Sequence, residues 1–99
     1  MKPVRLLRSA RADLRAQNAY YRGLDSTLGR RFLLAVDRSL AAIPENPQAM
    51  AIIDLNVRRW PVTGFPHGIL YRENEQEIIV LGIFHPQLDP KRWRQRLRE

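Results

Sequence analysis

Residues 78–84 read IIVLGIF, seven consecutive positions without a polar side chain. A half-exposed strand alternates apolar and polar residues, so such a run must be covered on both faces. Its length and its β-branched residues favour a strand over a helix. The chain therefore needs a sheet in which 78–84 lies inside, with other elements layered against it.

The rest of the sequence supplies those layers. PVRLLR (3–8) reads as an edge strand, with Pro3 at its start. Ser9 is the expected N-cap of a first helix running to about Arg22, with Ala10, Leu14 and Tyr21 on one face, Asp13 in the early turns and Gly23 at the end. A second helix begins near Ser26. Leu28, Phe32, Ala35, Val36, Leu40 and Ile43 form its apolar stripe, Arg30, Arg31, Asp37 and Arg38 lie opposite, and Pro44 stops it. The two make a helical hairpin.

PENPQ (44–48) is a loop, and 49–55 fits either an extended approach or a helical turn. NVRRWPV, GFPHGILYR and EIIVLGIFH then read as three strands separated by the Thr63-Gly64 turn and by Glu73-Asn74-Glu75. Asp89-Pro90 supplies cap and first residue of a short final helix carrying the i, i+4 pair Trp93 and Leu97. The expected fold class is α+β: an N-terminal edge strand, a helical hairpin, an antiparallel three-strand meander and a short C-terminal helix, all in one domain over 1–99.

Charge narrows the partners. Seventeen basic residues, fifteen of them arginine, against ten acidic ones give a net charge of +7, which favours an acidic protein segment or nucleic acid. Without cysteine, and with only His67 and His85, neither a metal site nor a cofactor is expected. No apolar stretch approaches the ~20 residues of a membrane span and no signal-peptide core is present, so the expectation is a soluble, cytoplasmic protein. Phosphate loops of the GxGxxG or GxxxxGK type and a GxSxG elbow are also missing.

The chemistry-bearing residues that remain are Arg58, Arg59, Tyr71, Arg72 and His85, backed by the basic segment Lys91, Arg92, Arg94, Arg96 and Arg98 around Trp93. Neighbouring strand residues point to opposite faces, so only one of Arg58 and Arg59 shares a face with a given residue of the next strand. One arginine per strand converging beside His85 would suit a scissile phosphate, with Tyr71 or His85 moving a proton. On the structural alternative the arginines are solvated, Tyr71 packs in the sheet and His85 bonds to nearby backbone. Trp93 among arginines also suits a binding surface.

Taken in order, SARADL, the Phe32-centred helix ending in IPENP, VRRWPVTGFPHGILYR and IIVLGIFHPQLDPKRWRQR resemble the ParE/RelE superfamily of toxins from bacterial type II toxin-antitoxin systems. The resemblance spans essentially the whole chain. It implies a compact sheet carrying a helical hairpin, and a cognate antitoxin whose acidic C-terminal segment wraps the toxin in a hetero-oligomer. It also implies one of two targets. RelE-like members cleave mRNA on the ribosome, a role onto which Arg59, Arg72 and His85 map; ParE-like members inhibit DNA gyrase. The DPKRWRQR ending resembles the ParE and stabilisation-protein branch, and the tyrosine that closes many of the nucleases is missing. The branch's common H-x-x-R reads His85-Pro86-Gln87-Leu88 in this chain. The resemblance therefore favours a non-enzymatic gyrase inhibitor, with Arg58, Arg59, Tyr71, Arg72, Arg92, Trp93 and Arg96 as partner- or target-binding residues. An mRNA endonuclease or an inactive antitoxin-binding homologue is the alternative.

Overall fold

The computed structural model describes residues 1–85 and 90–99; the expected cap at Asp89 and the departure at Leu88 lie outside the described residues. Its elements run β1 (Val4–Leu6), α1 (Arg8–Leu24), α2 (Ser26–Ala42), a 3-10 turn (Ile43–Glu45), β2 (Ile52–Asp54), β3 (Val57–Pro61), β4 (Gly68–Glu73), β5 (Ile78–Phe84), α3 (Pro90–Arg94) and a final 3-10 turn (Gln95–Arg98). The fold is α+β, with a five-stranded mixed sheet in the order β1-β5-β4-β3-β2. β1 pairs with β5 in parallel and the other pairs are antiparallel. The apolar run is thus an interior strand, and all seven of its residues are buried.

Two boundaries differ from expectation. α1 starts at Arg8 behind Leu7 rather than behind Ser9. Leu7 is buried and its N–H donates to Val80 O at 3.0 Å, which keeps the chain extended up to the helix and leaves no room for a serine cap. The Ser9 hydroxyl instead donates to the Glu99 carboxylate at 2.9 Å. α1 also runs past Gly23 to Leu24, and one extended residue makes the hairpin turn: Asp25 N–H donates to Tyr21 O, and its carboxylate accepts from Thr27 N at 2.7 Å. Asp25 therefore closes one helix and caps the next.

The open segment 49–55 becomes β2, paired with β3 through a tight turn at Leu55 and Asn56. Both turn residues have positive φ, 49° and 63°. This is the conformation that matches the twist of a two-residue hairpin.

Cross-strand pairing sorts the site residues by face. Arg58 lies opposite Tyr71 and Trp60 opposite Ile69 on one face; Arg59 lies opposite Leu70 on the other. Between β4 and β5 the register slips: Leu70 pairs with Gly82 but Tyr71 with Val80, leaving Leu81 as an extra residue. This bulge lets Val80 and Ile83 lie opposite Tyr71 and Ile69 on one face. Phe32, Val36 and Ile43 of the hairpin segment join these residues in the core, and Ser39 Oγ, bonded to Ala35 O, reaches Pro61 O at 3.4 Å.

β1 ends at Leu6, so the outer edge of β5 beyond Val80 needs other partners. Side chains provide them. Arg96 Nη1 donates to Leu81 O at 3.1 Å, Ile83 N donates to Asp13 Oδ2 at 3.1 Å, and Gln17 Nε2 donates to Ile83 O at 2.6 Å. The first helix and the C-terminal segment together finish the ladder that β1 begins.

Candidate functional site

At the end of the sheet where β4 begins and β5 stops, the side chains of Arg59, His67 and His85 gather. The Arg59 guanidinium lies across Gly68 so closely that a Cβ there would collide with Nε and Cζ, and Nη2 donates to Pro66 O at 3.1 Å. His67 is buried beside Tyr21 and Phe32, with ring centroids at 5.9 and 5.2 Å. His85, exposed at the end of β5, stands perpendicular to His67 at 5.9 Å. Burial first, then the positive fields of His85 and Arg59, push the His67 pKa below the ordinary imidazole value. Its Nδ1 is buried with no hydrogen-bond partner among the described residues.

Arg96 lies on the face of the sheet that Arg59 occupies. Its guanidinium sits 4.4 Å from the Phe84 ring centroid and over Gly82, where a Cβ would approach Nη1 to 2.6 Å. Two bonds of 2.5 and 3.1 Å join it to the Asp13 carboxylate. Arg96 is therefore occupied within the fold. Glycines at 68 and 82 are what allow both guanidiniums to lie flat on the strands.

The remaining predicted residues are dispersed. Tyr71 is wholly buried and donates to Pro47 O at 2.7 Å; burial pushes its phenol pKa up. Arg58 Nη1 donates to Met50 O at 2.5 Å, so this cross-strand pair secures the 44–51 loop. Arg72 pairs with Ile79 near the far end of β4, about 17 Å along the strands from His85 at ~3.3 Å per residue. Trp93 is buried with Arg94 stacked at 5.9 Å, and Arg94 pairs with Asp54 of β2. Arg92 is exposed. Of Arg59, Arg72 and His85, the structure brings Arg59 and His85 to one end and leaves Arg72 at the other.

Two features escape sequence reasoning. His67 enters only as a count against metal binding, although its place before Gly68, in the strand next to the one ending at His85, is a signal that the two meet. The second is a groove between α2 and the turn after β3, lined by Leu28, Leu34, Ala35 and Phe65 and flanked by Arg31 and Arg38. Leu34, half exposed, breaks the polar face of α2 and is the trace of that groove in the sequence.

Among the described residues no group of three or more His, Cys, Asp or Glu side chains is placed to hold a metal ion. No described helix is long and apolar enough to cross a membrane.

A small mixed sheet carries a helical hairpin, and a basic C-terminal segment completes its edge; the sequence of this chain places it in the class of toxins from toxin-antitoxin systems. Residues 4–90 match the family described as the ParE toxin of the type II toxin-antitoxin system parDE, and the chain belongs to that family. Membership implies an antitoxin partner. Among solved structures, a chain of the chromosomal ParDE toxin-antitoxin system from P. aeruginosa superposes with a TM-score of 0.65 at 23% identity, over 86% of this chain and 96% of that one. At that identity the likeness concerns the fold. No curated protein matches the chain.

Proposed function

We propose that this ParE-family chain inhibits DNA gyrase by binding it, and that a cognate antitoxin neutralises it through an acidic, amphipathic segment. The burial of Tyr71 carries the first half of the reading. A hydroxyl wholly inside the sheet and bonded to Pro47 O is withheld from a ribose or a phosphate, and Arg72 is remote from His85. General acid-base cleavage needs its groups within hydrogen-bond reach of one substrate. Arg59, Arg92 and His85 then act as contact residues on the target side.

The α2 groove supports the second half. Leu28, Leu34 and Phe65 offer apolar surface to a segment that folds on binding, while Arg31 and Arg38 on its flanks suit acidic side chains.

The test is plasmid supercoiling by purified gyrase at increasing toxin, with and without antitoxin. Loss of supercoiling, accumulation of cleaved DNA and rescue by antitoxin are expected. Unimpaired gyrase at excess toxin overturns the reading, and primer extension on translated mRNA after induction then identifies a nuclease by its cuts.

A further inference from the structure

Four arginines of α1, at 8, 11, 15 and 22, are all exposed. At 100° per residue they fall within about 60° of one another and span about 21 Å of helix. No acidic residue interrupts them. Asp13, the one acid within α1, lies on another face and is engaged by Arg96 and Ile83 N. None of the four enters an ion pair with a carboxylate among the described residues. At the start of α1, Ser9 bonds Glu99, the only acidic side chain tied there among the described residues.

This stripe differs in kind from the α2 groove. Its other exposed positions are Ala12 and Ala19, so it offers little apolar area to offset the ordering of a disordered peptide. It also lacks an aromatic ring, and Tyr20 and Tyr21 lie off it, whereas surfaces for single strands combine charge with stacking platforms. A linear row of unpaired guanidiniums with neither feature suits a rigid polyanion of high charge density, and double-stranded DNA carries one charge per ~1.7 Å.

We infer that the Arg8–Arg11–Arg15–Arg22 stripe of α1 is a docking surface for the phosphate backbone of duplex DNA, separate from the antitoxin groove. It reads backbone charge and not sequence. The inference stands independently of gyrase inhibition, because it concerns the toxin and DNA alone.

The purified chain is titrated against a fluorescent 20-base-pair duplex of random sequence between 50 and 200 mM salt. Four phosphate contacts give a log–log salt slope of about −3.6, an affinity loss of roughly 10²-fold over that range. Arg11→Ala/Arg15→Ala should halve the slope and leave antitoxin affinity intact; Arg31→Ala/Arg38→Ala should weaken antitoxin binding and leave the slope intact. Circular dichroism confirms that both variants remain folded. The inference is overturned by absence of duplex binding at 50 mM salt, by equal loss of slope in both variants, by tighter binding to a single strand of the same length, or by loss of antitoxin affinity in Arg11→Ala/Arg15→Ala.

Discussion

Arg96 holds Asp13 with two bonds of 2.5 and 3.1 Å while both side chains also bond the backbone of β5, at Leu81 O and Ile83 N. Side-chain exposures of 19% and 16% make this a largely desolvated pair across 83 residues of sequence. Removing one partner strands the other charge. Asp13→Ala is therefore expected to destabilise the fold by about 3 kcal/mol, and the midpoint of thermal unfolding should fall by about 10 °C or more. Asp13→Ala/Arg96→Ala should cost less than the sum of the single changes, as a double-mutant cycle in urea will measure.

Tyr71→Phe removes the donor to Pro47 O inside the sheet. Pro47 is only partly buried, so losing this bond should cost about 1 kcal/mol, and faster amide exchange in 44–51 should accompany the loss. Gyrase inhibition should survive in the folded variant. A fall of ~10²-fold in mRNA cutting with the fold intact would instead make Tyr71 catalytic.

His67 sets a pH dependence. Its folded-state pKa lies below the unfolded value of 6.5, so the unfolded chain binds more protons as pH drops through that value and stability falls. Unfolding midpoints should decline from pH 7.5 to pH 5.5. In His67→Gln this decline should flatten. Glu73, whose carboxyl is held down by hydrogen bonds from Lys2 and Gln48, adds its own loss only at lower pH, below the ordinary value of 4.5.

Leu55 holds φ at 49° with its side chain more than half exposed. A bulky residue in the left-handed region is strained, whereas asparagine accepts it readily. Leu55→Asn should raise stability by about 0.5–1 kcal/mol, read as an upward shift in the denaturation midpoint.

Gly68→Ala places a methyl group where the Arg59 guanidinium rests. If Arg59 meets the target in this posture, Gly68→Ala and Arg59→Ala should both weaken gyrase inhibition by tenfold or more. A fully active Gly68→Ala variant would detach Arg59 from the target surface.

The elements with a clear period were legible in the sequence. α2 is an example, because its stripe of Phe32, Val36 and neighbours repeats at helical spacing whatever it packs on. β5 is another, since seven apolar residues admit only an interior strand. β2 was not legible: three residues, IID, carry no period, and pairing with β3 alone makes them a strand. The start of α1 was not legible, because the Leu7–Val80 bond that sets it is a contact between residues 73 positions apart.

The candidate site divides the same way. Residue types and strand alternation determined that Arg58 and Arg59 face opposite sides, and the α1 arginines carry their helical spacing in the sequence itself. Only the tertiary structure decided that Tyr71 is consumed by Pro47, that Arg96 belongs to Asp13, that His67 meets His85, and that Arg72 stands apart from both histidines. Local pattern reports which face of its own element a residue occupies. Which distant group waits there depends on sheet order, on the bulge at Leu81 and on the path of the C-terminal segment, and these arise from long-range packing that no local stretch encodes.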